Sequence, residues 1–146
     1  MEFILAISLG IMIGFVLALP AIILEIDKRV KNLPLLVDVA VIWGKKLNER
    51  EVFAASLLLH FIISGLYALF YVIFAENAWL FITNAPYTLG SMLIFAFLSW
   101  LVLNIAIFPL LGFGIWGGKE GDTVWLETLI SLLLEGAIFW VLIHYY

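Results

Sequence analysis

The chain has 146 residues, of which 66% are hydrophobic and 12% are charged, and its formal net charge is -4. Soluble domains contain about 45–50% apolar and about 25% charged residues, and a small soluble domain has too much surface to bury so many apolar side chains. The composition therefore excludes a soluble globular domain and a disordered chain. It predicts an integral membrane protein whose main partner is the lipid bilayer. The acidic total argues against nucleic-acid binding, which needs clustered positive charge.

Sixteen of the 18 charged residues lie outside four long apolar stretches. A transmembrane helix needs about 20 apolar residues, and a backbone in lipid must satisfy its own hydrogen bonds. We therefore predict an all-α integral membrane protein, a four-transmembrane-helix bundle that forms a single domain over residues 1–146. The predicted spans are residues 3–24, 52–74, 87–111 and 124–146.

Positive charge is confined to two of the three connections between these spans. Six of the seven Lys and Arg residues lie in the loop 25–51, and the seventh, Lys119, lies between the third and fourth spans. Cytoplasmic loops carry the excess of Lys and Arg. The pattern predicts a multi-pass protein of the cell membrane with a cytoplasmic 25–51 loop and both termini outside.

The loop 25–51 contains an apolar stretch, residues 33–43, that is too short to span and is followed by Lys45 and Lys46. One interpretation is a short interfacial helix along the inner leaflet, with the lysines reaching anionic lipid headgroups. The other is a short helix packed under the bundle. Both remain open from the sequence.

Five of the 11 glycines lie in the last loop, and Gly112–Gly117 matches the pattern G-x-G-x-x-G literally. In dinucleotide-binding folds that motif follows a strand and opens a helix. Here it follows a predicted transmembrane helix, so we expect no cofactor. We interpret the segment as a flexible turn, with Pro109 ending the third helix just before it.

The first span carries small residues at every fourth position: Ala6, Gly10, Gly14 and Ala18. Small side chains at this spacing let two helix backbones approach closely in lipid. The stripe predicts a packing face, either within the bundle or between subunits of an oligomer.

Polar residues inside the spans also follow helical spacing. On the second span, Ser56, His60, Ser64, Tyr67 and Tyr71 share one face. On the fourth span, Glu127, Ser131 and Glu135 do so, and the third span contributes Asn104. Lipid-facing positions should be apolar, so we expect both stripes to point into the bundle or towards a partner.

Helical rise places these residues at comparable depths. Counted from the cytoplasmic ends, Glu127 lies about 5 Å deep, Asn104 about 10 Å, His60 about 12 Å and Glu135 about 17 Å. We predict that they converge on one polar cavity that opens towards the cytoplasm. The candidate intramembrane site consists of Glu135, His60, Asn104, Glu127, Ser131 and Ser64, with no metal assigned.

The function of this site is open between several classes. An acid at mid-membrane costs about 2.5–3.5 kcal/mol on insertion scales and usually lines an ion or proton path, or is paired. The leading hypothesis is therefore a proton- or cation-coupled transporter or channel-like protein, and a homo-oligomer because four helices rarely enclose a solute path. Glu135 as a protonated acid that only joins helices is the structural alternative.

Two further classes remain. One is an accessory or assembly subunit that binds a partner membrane protein through the first helix and the basic loop. The other is an intramembrane lipid-modifying enzyme with His60 as acid or base. Because the chain has neither an H-E-x-x-H motif nor a G-x-S-x-G motif, a non-enzymatic role is favoured and no catalytic residue is assigned.

Overall fold

A computed structural model describes residues 2–26, 37, 39–42, 44–77 and 86–145, with the backbone alone for Glu25 and Ile26. The described chain is 80% helical. Its helices are α1 (Phe3–Ile26), α2 (Glu49–Glu76), α3 (Leu89–Val102), α4 (Phe108–Leu111) and α5 (Val124–Tyr145), with a π-helical segment, Leu103–Ile107, joining α3 to α4.

Four continuous helices are long and apolar enough to cross a membrane: Phe3–Leu24, Glu49–Glu76, Leu89–Leu111 and Val124–Tyr145. The four helices predicted from the sequence are therefore present, with ends that differ by at most three residues. The largest difference is at the start of α2. There the Asn48 side chain accepts a hydrogen bond from the Glu51 N–H, and the Glu51 carboxylate accepts one from the Asn48 N–H. This reciprocal cap begins the helix before its first apolar residue.

The sequence predicted that the third long helix ends at Pro109, but in the structure the helix continues past this residue. The π-helical segment lies just before Pro109, and there the Phe108 N–H donates to the carbonyl of Leu103, five residues back. Pro109 then lies in the first turn of α4, where a missing N–H costs little. Gly112, with a φ of 91°, ends α4 instead. The local widening lets the helix pass its proline and continue to Leu111.

The small-residue stripe of α1 is buried against α2 of the same chain. Ala6, Gly10, Gly14 and Ala18 are all buried. A Cβ atom added at Gly10 would collide with the Ser64 carbonyl oxygen and lie 2.8 Å from the Cβ of Ala68. Of the two arrangements that the stripe allowed, these contacts correspond to packing within the bundle.

The helices differ in how closely they pack. α1 packs mainly against α2, α3 packs mainly against α5, and α1 also contacts α5. α2 and α3 meet at few positions, so a gap remains between them. The outward faces expose large apolar side chains, including Ile4, Leu58 and Leu110.

The end of the first loop is a hairpin. Val41–Ile42 (β1) pairs antiparallel with Lys45–Lys46 (β2). Just before it, the buried Val39 donates its N–H to Ser56 Oγ at 2.8 Å, and the Ala40 N–H donates to Glu120 Oε2 at 2.9 Å. These bonds join the first loop to α2 and to the last loop.

The helix predicted for residues 33–43, interfacial or packed, is therefore wrong for the described part of that segment, residues 37 and 39–42. The backbone donors of Val39 and Ala40 bond to side chains, and Val41 and Ile42 pair with a strand. The remaining residues of the segment lie outside the described residues, as do the basic residues Lys28, Arg29 and Lys31.

The glycine-rich segment is a turn, as predicted, but it is closely packed rather than loose. Phe113 is buried and donates its N–H to the Phe108 carbonyl at 2.9 Å. The Lys119 N–H donates to the Phe113 carbonyl at 3.0 Å. Gly117 has a φ of 68°, and a Cβ atom there would lie 2.5 Å from a methyl group of Val124. The absence of a side chain at Gly117 therefore lets the turn pack closely against α5. The described residues contain no parallel sheet, which a dinucleotide-binding motif would require.

Candidate functional site

A small cavity lies between α2, α5 and the end of α3. Its volume is about 30 Å³. The polar residues that line it are Ser56, His60, Ser64, Thr128, Ser131 and Glu135, and the apolar ones are Val37, Leu59, Ile63, Leu103 and Leu132. A cavity needs roughly 10–15 Å³ to hold one water molecule. This one has room for a water-sized group among polar side chains.

Glu135 is the most deeply buried acid in the described part of the chain. The residue is 1% exposed, and its Oε2 accepts a hydrogen bond from Ser64 Oγ at 3.2 Å. Its Oε1 has no hydrogen-bond partner among the described residues. One turn earlier on α5, Ser131 lines the same cavity, because residues four apart share a helix face. One carboxylate oxygen is thus bonded to a neutral hydroxyl and the other is an unused acceptor.

His60 enters the cavity from α2, four residues before Ser64. Its Nε2 lies 3.0 Å from the carbonyl oxygen of Gly14 on α1. A carbonyl only accepts, so Nε2 carries the hydrogen and donates it, which leaves Nδ1 as the acceptor of a neutral ring. The glycine at position 14 lets α1 come close enough for this bond.

Asn104 lies in the π-helical segment and is fully buried. Its amide nitrogen donates to the Trp100 carbonyl at 2.9 Å and lies 3.4 Å from Thr128 Oγ1. Its Oδ1 has no hydrogen-bond partner among the described residues. Asn104 is not one of the residues that line the cavity, but it contacts one that does, Thr128.

Glu127 is half-buried near the start of α5, where it accepts a hydrogen bond from Thr123 Oγ1 at 2.7 Å. It does not line the cavity. Of the six residues that the sequence singled out, the structure thus brings Glu135, His60, Ser64 and Ser131 together around one cavity. It places Asn104 beside that cavity and Glu127 in the first turn of α5, away from the cavity lining.

Seven of the eleven lining residues were not among the six: the apolar Leu59, Ile63, Leu103, Leu132 and Val37, and the polar Ser56 and Thr128. Ser56 lies one helical turn before His60 on α2, and Thr128 lies one turn before Ser131 on α5. Helical spacing in the sequence therefore could have predicted both. Val37 belongs to the first loop, and only the folding of that loop over the bundle brings it to the cavity. Val39 donates its N–H to Ser56, another lining residue, so this part of the first loop lies against the cavity.

A second, larger space occupies the gap between α2 and α3. This groove has a volume of about 390 Å³ and an almost entirely apolar lining. α2 supplies residues from Ile63 to Phe74, α3 and the π-helical segment supply residues from Phe95 to Ile107, and α5 supplies Leu132. Its outer walls are lipid-exposed positions if the helices cross a membrane.

Within residues 2–26, 37, 39–42, 44–77 and 86–145, no group of three or more His, Asp or Glu side chains is arranged to hold a metal ion. Comparison with protein-family models, with curated proteins and with solved structures finds no match to this chain.

Proposed function

We propose that this chain is a multi-pass membrane protein that couples the binding of a proton or a small cation at Glu135 to transport. The observation that supports the proposal is the acceptor Oε1 of Glu135, which is buried, without a partner among the described residues, and next to a polar cavity of about 30 Å³. In this proposal the protein has four transmembrane helices, a cytoplasmic first loop and both termini outside.

The burial of the Glu135 carboxyl group has an energetic cost that its surroundings must offset. A carboxyl group near the centre of a membrane helix is expensive, and such residues usually line ion paths or are paired. No Lys or Arg lies among the residues that line the cavity, and the only hydrogen bond that Glu135 makes there comes from Ser64. A group kept only to join helices needs both oxygens satisfied, because an unmade bond in an apolar site is costly. A proton would remove the charge of the buried carboxylate, and a small cation would give Oε1 a partner.

The neighbouring side chains suit either occupant. The hydroxyl groups of Ser64, Ser131 and Thr128 offer oxygen atoms to a cation, and hard cations prefer oxygen ligands. The acceptor nitrogen of His60 is a group that can accept a proton. The proton or cation must enter and leave this cavity, and the proposal places that exchange at the end lined by Val37 and Ser56.

The accessory-subunit alternative loses part of its basis. The small-residue stripe of α1, which favoured an external partner, is occupied by α2 of the same chain. An oligomer of this protein would then use other helix faces.

Proton flux in liposomes tests the proposal. We would reconstitute the purified protein with an entrapped pH-sensitive dye, impose a pH gradient, and compare the wild type with Glu135→Gln. We expect Glu135→Gln to reduce flux to the level of protein-free liposomes, because an amide of the same shape cannot take up a proton.

Glu127→Gln is the matched control, since Glu127 lies on the same helix but does not line the cavity. It should retain the flux of the wild type. Unchanged flux in Glu135→Gln, with both variants folded, would contradict the proposal.

A further inference from the structure

The apolar groove and the polar cavity adjoin each other. Ile63, Leu103 and Leu132 line both. Along α2 the cavity takes the part from Ser56 to Ser64, and the groove takes the part from Ile63 to Phe74. A molecule that lies in the groove would therefore bring one end against the group that contains Glu135.

The dimensions of the groove match one alkyl chain. From Ile63 to Phe74 the rise of the helix is about 16 Å. One leaflet contributes about half of a ~30 Å hydrocarbon core, or about 15 Å. The groove is bordered by exposed apolar side chains, with Leu66 42% and Leu98 41% exposed, so it is accessible sideways from lipid. A helix about 10 Å wide does not fit in a groove of this volume.

The size and the polar groups of the cavity select the end group of an alkyl chain that binds in the groove. Its volume of about 30 Å³ suits a group the size of an ammonium or a water molecule better than a phosphate headgroup. The acceptor Oε1 of Glu135 requires a donor, and a cation gains most from a carboxylate. The residues that line the cavity include no Lys or Arg that would bind an anionic end group.

We propose that the ligand of this site is a hydrophobic primary amine, whose alkyl chain occupies the groove between α2 and α3 and whose ammonium group binds Glu135. This rests on the proposed function and names its substrate class. When the ammonium binds, the carboxyl proton of Glu135 leaves to water at the loop side, so one positive charge replaces another in the site. A proton gradient would then drive amine movement in the opposite direction.

Photo-crosslinking tests the inference. Hexadecylamine with a diazirine in mid-chain would be added to the protein in lipid nanodiscs, irradiated, and the labelled peptides mapped by mass spectrometry. We expect label on the groove walls of α2 and α3, competed by hexadecylamine but not by hexadecanoic acid. Glu135→Gln should lower this labelling severalfold, because the amine loses its counter-ion.

Filling the groove is the second arm. We expect Leu98→Trp on α3 to lower labelling, because the larger side chain fills the groove. If this variant folds poorly, Leu66→Trp on the opposite wall gives the same test. Leu58→Trp is the control, because Leu58 is 61% exposed on α2 and lies outside the groove. Equal labelling by the diazirine analogue of hexadecanoic acid, or wild-type labelling in Glu135→Gln, would show that ordinary lipid chains fill the groove and would overturn the inference.

The two proposals fail separately. Proton flux that depends on Glu135 without amine-selective labelling would overturn the amine and leave the proton site intact. Labelling that depends on Glu135, in a protein whose flux does not, would support the amine site and overturn coupled transport.

Discussion

Glu135 shows how far one residue can be interpreted from its position in a sequence. Its depth and its spacing from Ser131 follow from the helical period, so an acid inside the bundle was predictable. Its hydrogen bond from Ser64 on α2 was not, because the rotation of one helix against another depends on packing of the whole face. The same holds for His60, whose partner is a carbonyl on α1.

Tyr71 belongs to a partly buried hydrogen-bond network that joins α2 to the start of α3. Its hydroxyl accepts from the Tyr87 N–H at 2.8 Å and bonds Ser91 Oγ at 2.7 Å, and Ser91 in turn donates to the Thr88 carbonyl. We expect Tyr71→Phe to destabilise the protein by about 1–3 kcal/mol, because the buried Ser91 hydroxyl loses a partner and the partly buried Tyr87 N–H loses its acceptor. Unfolding in a denaturing detergent titration would measure this free energy.

Tyr145→Phe is the control for that measurement, since Tyr145 is 73% exposed. It should change stability by less than about 0.5 kcal/mol. Equal stability of the two variants would mean that the hydrogen bonds of Tyr71 make no net contribution to the free energy of unfolding.

At the scale of elements, α1 and α2 are the most extensively packed pair among the described helices, and glycine residues on α1 allow their backbones to approach closely. Gly10 and Gly14 lie against the backbone and side chain of Ser64, which also binds Glu135. The packing of α1 therefore sets the position of a residue in the candidate site. In a membrane, such close packing replaces the hydrophobic effect as the force that joins helices.

Gly10→Ala tests this interface. A methyl group there collides with the Ser64 carbonyl, so we expect a loss of about 1–3 kcal/mol in unfolding free energy. The control is Gly90→Ala on α3, where an added Cβ meets no atom within 4 Å. That change should be neutral or stabilise by up to about 1 kcal/mol, because alanine favours the helix. Gly10→Ala as stable as Gly90→Ala would refute the close approach.

At the scale of the whole molecule, the two loops that contain the Lys and Arg residues meet. The Ala40 N–H donates to Glu120, which places the end of the first loop beside the glycine-rich segment. The distribution of charge required these loops to share a side, and this contact agrees with that requirement.

Cysteine labelling tests the arrangement, because the chain has no cysteine of its own. Single cysteines would replace Glu2, Lys46 and Lys119, all of which are exposed. We expect an impermeant maleimide to label Glu2→Cys on intact cells, and Lys46→Cys and Lys119→Cys only after permeabilisation. Opposite accessibility of the two lysine positions would contradict the fold, and the reverse pattern at all three would invert the orientation.

The sequence by itself determined the four helices and the polar faces of α2 and α5, because composition and helical spacing are local and the solvent is lipid. Even the small-residue stripe of α1 was visible in it. Only the tertiary structure decided that Gly10 and Gly14 of this stripe pack against Ser64 and that Val37 lines the cavity. It also separated Glu127 and Asn104 from the cavity and opened the groove between α2 and α3. The physical reason is that these features depend on helix rotation and loop placement, which contacts distant in sequence determine together.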